Sequence, residues 1–383
     1  MRRTARPIKK GISPVLATLI LIVIAVVAGI LVYAWTMGWI GGQLGGAREE
    51  LRIEGLTVSK GHVYITVKNT GTVKATIDKI YLDGLPYVFG TDIDRGAAKT
   101  LSLPYAWTYK RAFHIKLITA RGTTLEGDYY AAEPESPYCL HFDGVDDYVQ
   151  VADSDSLDLT EMTIMMWVKF PGVPPGSRWL LCKGTGGANS RNYVVGIYSS
   201  MVLWFGFYDD GGTWRGWSGT ASLTTDTWYQ IVITYTSTAS SYTMRFYINA
   251  VFDREHSSTT TGYTPQTNDD PLYIGDGPNW STTEALIDEI RIYNRALTDA
   301  EISNSYDGRV YTDGLVLWLR FDEGSGGMTS DISGNENDGT LGPSPPTNAP
   351  AWEPGYTGPG ALLHAARFTN IGVLVIAESR RRW

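Results

Sequence analysis

The sequence predicts a mainly β protein with one long N-terminal α-helix, and three features carry that reading. Ile12 to Ile40 contains no charged residue. From Leu51 onward, apolar and polar residues alternate in short runs, the two-residue period of a half-buried strand. Glycine, asparagine and aspartate separate those runs, which is the chemistry of tight turns. A chain of 383 residues has room for two or three domains after the helix.

The N-terminal elements come first. Residues 1–11 form a basic leader with Arg2, Arg3, Arg6, Lys9 and Lys10 and no acidic residue. The charge-free run that follows would make a helix of roughly 43 Å, enough to cross a ~30 Å hydrocarbon core. The positive leader keeps the N-terminus cytoplasmic and sends the rest of the chain outside. Pro14 suits the first helical turn, where its missing N–H would be unpaired anyway. Ala17, Ala25, Ala28 and Gly29 give a small-residue stripe for close helix approach. Gly41-Gly42 and Gly45-Gly46 then form a flexible neck, closing the segment 12–46.

Lys10-Gly11 followed by Ile12-Ser13-Pro14-Val15-Leu16-Ala17-Thr18 resembles the class III signal peptide of archaeal type IV pilins and archaellins. The resemblance implies cleavage between Gly11 and Ile12 by a prepilin peptidase. It also implies that the helix packs with other pilin subunits in a filament core. Bacterial pilins carry an early glutamate in this helix, and none is present here. A plain signal anchor that leaves one copy in the membrane is the alternative.

Composition narrows the partners. A net charge of −8 argues against nucleic acid. Thirteen tryptophans and twenty-three tyrosines suit sugar stacking, although most will fill sandwich cores. Cys139 and Cys182 are the only cysteines, too few for a disulfide framework or a zinc site, and they either pair outside the cell or stay as buried thiols.

In residues 47–130, Val63, Ile65 and Val67 alternate with Tyr64, Thr66 and Lys68, and Asn69-Thr70-Gly71 turns the chain. Phe113, Ile115 and Leu117 alternate again, so this stretch reads as a small β-sandwich. The segment Val63 to Gly71 is similar to the head domain of archaeal pilins. Residues 131–137, with two prolines and two glutamates, form a linker.

The next domain spans 138–341. Its markers are Leu140-His141-Phe142-Asp143-Gly144, Met162 to Val168, Trp228 to Tyr235, Met244 to Asn249 and Leu286 to Thr298. Together they resemble the laminin-G-like, concanavalin-A-like jelly roll. Gly314-Leu315-Val316-Leu317-Trp318-Leu319-Arg320-Phe321-Asp322 resembles the strand that often opens such a domain. About forty residues cannot bury a core alone, so 314–341 is expected to complete the first sandwich. Residues 342–383 read as a Pro-rich, irregular tail.

The concanavalin-A-like superfamily includes glucanases, whose carboxylates lie on one strand as Glu-x-Asp-x-x-Glu. No such string occurs here, and Asp288-Glu289 should point to opposite faces of its strand. Asp209-Asp210-Gly211-Gly212-Thr213-Trp214 resembles the sialidase Asp box, a structural hairpin. Glycan binding is the better expectation. Trp204 and Tyr208 share one face of their strand while Leu203 and Phe205 face the core, and at most one of Trp214 and Trp217, with Trp214 expected, shares the ligand side; packing inside or over a sheet edge is the other role open to these rings. Many laminin-G-like domains hold one Ca²⁺, which the resemblance would place on Asp143 and Asp288; capping of loop N–H groups is the other role open to both.

The sequence therefore predicts an archaeal pilin-like surface adhesin, a minor or tip subunit presenting a lectin-like domain. Its partners would be the membrane, other pilins and a surface glycan or neighbouring cell. It would sit in the cell membrane and at the cell surface, with most of the chain extracellular and possible assembly into a pilus. A monomeric membrane-anchored glycan-binding protein and an anchored glycoside hydrolase are the alternatives.

Overall fold

The computed structural model describes residues 14–43, 48–108, 112–131, 137–185, 191–277, 284–342 and 349–357. The leader, the Gly11-Ile12 pair, most of the 131–137 linker and the end of the tail lie outside the described residues. Pro14–Gln43 is helical, and its described side chains, Val15 and Thr18 to Tyr33, are all exposed. Thr18 to Tyr33 spans only about 24 Å at the usual helical rise. Among the described residues, no helix is long and apolar enough to cross a membrane.

Residues 48–131 form a two-sheet sandwich. One sheet orders the strands Leu51–Ser59, His62–Asn69 and Ala98–Pro104; the other orders Leu85–Ile93, Ala75–Leu82, Ala112–Thr119 and Thr124–Tyr130. Alternation decides which side faces in: Val63, Ile65 and Val67 are fully buried, while Tyr64, Thr66 and Lys68 are not.

The large module packs two eight-stranded sheets around one core, which includes Leu140, Phe142, Met166, Phe205, Phe207, Ile233 and Leu317. The back sheet runs Val251–Ser258, Ser241–Ile248, Tyr229–Thr238, Met162–Lys169, Ala285–Tyr293, Tyr138–Phe142 and Ala351–Pro354, with Leu315–Leu319 as its eighth strand, paired to Ala285–Tyr293 off this path. The front sheet runs Trp214–Ser222, Val202–Tyr208, Arg191–Ile197, Arg178–Gly184, Leu272–Gly275, Tyr148–Val151, Gly339–Gly342 and Met328–Thr329.

The late segment enters both sheets. Leu315–Leu319 pairs with Ile290 to Tyr293, and Gly339–Gly342 pairs with Tyr148–Val151. The tail departs from expectation, because Ala351–Pro354 pairs with Tyr138–Phe142 and covers an otherwise bare sheet edge. Cys139 and Cys182 are free buried thiols in different sheets.

The two modules share a continuous apolar seam. Tyr105 and Trp107 from the small sandwich pack with Trp167, Tyr247, Leu297, Ile302 and Trp318 on the outer side of the back sheet and its helix Asp299–Tyr306. A Cβ on Gly308 would lie 2.3 Å from the Trp107 ring, so the seam is closed to side-chain size. Arg320 crosses it, donating to the Ala106 carbonyl at 3.3 Å and to Thr108 Oγ1 at 2.8 Å.

Candidate functional site: an indole platform on the front sheet

Strand alternation sorts the aromatic residues of the front sheet. Phe205, Phe207 and Trp217 pack inward around Tyr235. Trp204, Tyr208 and Trp214 lie on the other side, joined by Trp179 and Tyr198. Ring centroids are 6.4 Å apart for Trp204 and Trp214, 6.3 Å for Trp179 and Trp204, and 5.3 Å for Tyr208 and Trp214.

Glycines on neighbouring strands let the indoles lie down. A Cβ on Gly196 would stand 2.3 Å from the Trp204 ring, and one on Gly206 would stand 2.5 Å from the Trp214 ring. Gly216 faces Trp214 Nε1 in the same way at 3.0 Å. Each ring thus presses one face onto bare backbone. A flat indole with its second face open suits the C–H face of a pyranose.

The sequence-derived residues divide on exposure. Trp214 is 37% exposed and Tyr198, which the sequence reading missed, is 40% exposed. Trp204 is only 6% exposed, so it forms the underside of the platform, correcting its expected role as a stacking surface. Tyr208 is half-buried at the rim. The signal that would have found the platform is three glycines, Gly196 and Gly206 on strands beside Trp204 and Trp214 and Gly216 two residues along Trp214's own strand.

The turn that delivers Trp214 is the Asp-box-like hairpin. Asp209 accepts from the Thr213 N–H at 2.7 Å and from Arg215 Nε at 2.7 Å. Burial alone would raise its pKa, but those donors and the Arg215 charge outweigh it and hold the carboxyl below the usual range. Its role is to brace the turn.

The paired metal site does not form. Asp288 lies beyond the Ile287–Leu140 pair and Asp143 beyond the Ala285–Phe142 pair, at opposite ends of one strand pairing and on the order of 13 Å apart along it. Asp288 is 2% exposed and sits in the seam beside Trp107, Glu289, Arg320, Asp322 and Tyr356. Burial, with the charges of Asp322 and Glu289 beside it, pushes its carboxyl well above the usual range. An enclosed carboxyl whose charged form is disfavoured is a poor calcium ligand. Asp143 instead gathers with Asp146 and Asp147, their ligand oxygens within 4.8 Å of one another, which fits a hard cation. Burial and the two neighbouring aspartates raise the Asp147 pKa to about 6, and Asp147 Oδ2 also accepts the Asp143 N–H at 2.7 Å.

Alternation fails at one point. Glu289 has φ +52°, and the register with the neighbouring strand slips there. Asp288 and Glu289 therefore line the same side of the seam, against expectation. Both are buried, so the pair has no access to a polysaccharide. A second small cavity of about 170 Å³ lies along the seam, between Lys60, Arg320, Asp322, Glu323, Ser330 and Ile332. Arg320 already pairs with Asp322 and Glu289 there, so the cavity offers a sugar little that the flat platform does not.

Residues 143–303 match the family profile of the concanavalin A-like lectin/glucanases superfamily. The matched stretch, under half of the chain, lies within the mainly β sandwich architecture described above. No curated protein matches the chain. Among solved structures it is similar to a candidate carbohydrate-binding protein from Bacteroides ovatus, at 14% identity and TM-score 0.45, covering 80% of this chain and 98% of that one. A pentraxin from Limulus polyphemus scores 0.35 at 14% identity, over 55% and 96%. The carbohydrate-binding module of a Ruminococcus gnavus sialidase, bound to α2,3-sialyllactose, scores 0.33 at 14% identity, over 43% and 97%. At these scores none of them bears on what this chain binds.

Proposed function

We propose that the large module binds glycans without cutting them and that the N-terminal segment holds it at the cell surface. The observation that carries the reading is Trp214, packed against Gly206 and 37% exposed, on the outer side of a lectin-type sandwich. The superfamily match over 143–303 supports it. Burial of Asp288 and Glu289, together with the missing Glu-x-Asp-x-x-Glu string, disfavours the hydrolase alternative.

A single indole site should bind weakly, at about 0.1–1 mM, or about −4 to −5.5 kcal/mol. Many linked copies raise apparent affinity by roughly 10²–10⁴, which suffices for adhesion. A glycan array probed with residues 48–357 tests the reading. That span is chosen because the two modules share a core. Absence of any sugar ligand, or steady release of shorter glycans from a hit, would remove it.

Two substitutions separate platform from support. Trp214→Ala should weaken a hit at least tenfold while leaving the melting temperature nearly unchanged, since the ring is already partly in water. Trp204→Ala should instead destabilise the fold by about 3–4 kcal/mol, as for a buried aromatic residue cut to alanine. Calorimetry on both proteins decides; equal loss of binding at full stability from Trp204→Ala would contradict the layering.

The surface role follows the pilin-like reading: a minor or tip adhesin whose helix joins other pilin subunits after a prepilin peptidase cuts at Gly11. The apolar, exposed side chains from Leu19 to Val32 support it, since such a surface needs lipid or sister helices around it. Gly11→Val should block cleavage by placing a branched side chain at the scissile bond. Intact-mass measurement of membrane and filament fractions reads this out. A chain that keeps Arg2 to Gly11 everywhere would leave the monomeric anchored form. Calcium, if held, belongs on Asp143 with Asp146 and Asp147, and a calcium-dependent rise in melting temperature that is lost in Asp146→Asn would report it.

A further inference from the structure

We propose that Asp288 makes the closed seam pH-sensitive: the tail end Gly355-Tyr356 covers its carboxyl while it carries a proton and lifts off when it ionises. The proposal stands apart from glycan binding and concerns how the two modules are held together. Asp288 lies opposite Trp167 in the back sheet. The wall around its carboxyl comes from both modules, with Ala106 and Trp107 from the small sandwich, Glu289, Arg320 and Asp322 from the large one, and Tyr356 from the tail. The tail backbone presses directly on the group. A Cβ on Gly355 would stand 2.8 Å from Asp288 Oδ2, and the Tyr356 ring beyond it stacks on Trp167.

The carboxyls at this spot share their cations unequally. Glu289 meets Arg291 Nη2 at 3.0 Å and Arg320 Nε at 3.2 Å, and it accepts from Trp318 Nε1 at 3.0 Å. Asp322 pairs with Arg320 Nη2 and accepts the Tyr138 N–H at 2.9 Å. Asp288 receives one backbone N–H, from Tyr356 to Oδ2 at 2.9 Å, and its buried Oδ1 meets no donor among the described residues. Ionised, it is an enclosed charge with two like charges beside it and no cation in contact. The Cys139 thiol on the adjoining strand feels Asp288, Glu353 and Asp322 against Lys169, and burial above all pushes its pKa up. Burial raises the Tyr356 phenol likewise, so both groups stay neutral where Asp288 titrates.

The sign follows from burial. Burial first, then Asp322 and Glu289, raise the Asp288 pKa against the pull of the Tyr356 N–H and Arg320. An aspartate in water titrates near about 4. The closed seam therefore keeps a proton that the opened one releases. Closure is favoured in full below that range and loses favour as pH rises through the raised value. The tail is the part that yields, because Ala351–Pro354 is a short edge strand paired on one side only.

The test is hydrogen exchange read by mass spectrometry on the full-length chain in detergent, from about pH 4 to about pH 9 and corrected for the intrinsic pH dependence of exchange. Opening of residues 351–357 should grow by up to about tenfold per pH unit within the window, the slope of one proton released. Val63 to Val67, inside the small sandwich, should stay protected throughout. Asp288→Asn keeps an acceptor for the Tyr356 N–H but cannot ionise, so its tail should stay closed at every pH. Asp322→Asn removes a neighbouring negative charge and should end the rise at lower pH, a shift that a purely structural role for Asp288 would not produce. A flat profile over 351–357 in the unaltered protein would overturn the proposal and needs no variant to fold. The same rise in Asp288→Asn would overturn it too, as would an unmoved window in Asp322→Asn. If Asp288→Asn does not fold, the unaltered protein and Asp322→Asn decide between them.

Discussion

Lys183→Met is expected to destabilise the large module by about 3 kcal/mol, the largest single-residue effect outside the apolar core. The Lys183 side chain is fully buried at one end of the sandwich. Its ammonium meets Asp153 Oδ1 at 2.6 Å, Asp158 Oδ1 at 3.2 Å, the Asp270 carbonyl at 2.6 Å and the Asn268 carbonyl at 2.8 Å. The cation ties the loop after Val151 and the loop before Leu272 to the strand Arg178–Gly184. Methionine fills most of the volume but leaves two carboxylates and two carbonyls facing an apolar chain. Removing one partner of a buried pair costs about 3–5 kcal/mol. The Asp153 side chain is 32% exposed and that of Asp158 20%, so water can reach both and the lower end applies. Urea titration measures it. A companion protein with Asp153→Asn and Asp158→Asn added should recover part of the loss, because the orphaned charges are gone. A loss below 0.5 kcal/mol for the single variant would show that the ammonium merely occupies the cage (0.5 kcal/mol being about the noise of a surface substitution).

Nothing in the sequence around Lys183 marks it, and the reason is physical. Its partners Asp153, Asn268 and Asp270 lie 30, 85 and 87 positions away, and only chain closure brings them together. The small sandwich was legible for the opposite reason, since the alternation from Val63 to Val67 depends on neighbours along one strand. The platform lies between those cases. One strand's period placed Trp204 and Tyr208 on the outer face, but their exposure depends on Trp179, Tyr198 and Trp214 arriving from other strands. Asp288 and Glu289 defeated the period itself, because a left-handed residue in a bulge turns the second carboxylate to the same side as the first. Carrying calcium onto Asp288 failed for a related reason, as the small sandwich encloses that aspartate and sequence reading of one module does not see the other.

The chain ended after Gly308 should not fold cooperatively. It would lack Val316, Leu317, Leu319, Phe321 and Leu341 from the jelly-roll core, and Leu315 and Trp318 from the seam. Each such side chain contributes about 1.5–3 kcal/mol by burial, so the seven together exceed 10 kcal/mol, as much as many whole domains possess. The loss also bares Ala285–Tyr293 where Leu315–Leu319 pairs, and Tyr148–Val151 where Gly339–Gly342 pairs, two edges open to association. Ending after Leu341 is a milder cut. It removes Ala351–Pro354 from the back-sheet edge and Tyr356, whose ring stacks on Trp167 at 3.7 Å and whose N–H donates to Asp288 at 2.9 Å. That protein should fold but lose about 2–3 kcal/mol, roughly one aromatic burial. Thermal melts and size-exclusion profiles of the two chains against the parent rank them directly. A cooperative melt within a few degrees of the parent for the chain ended at Gly308 would mean that the late strands decorate a sandwich already complete without them.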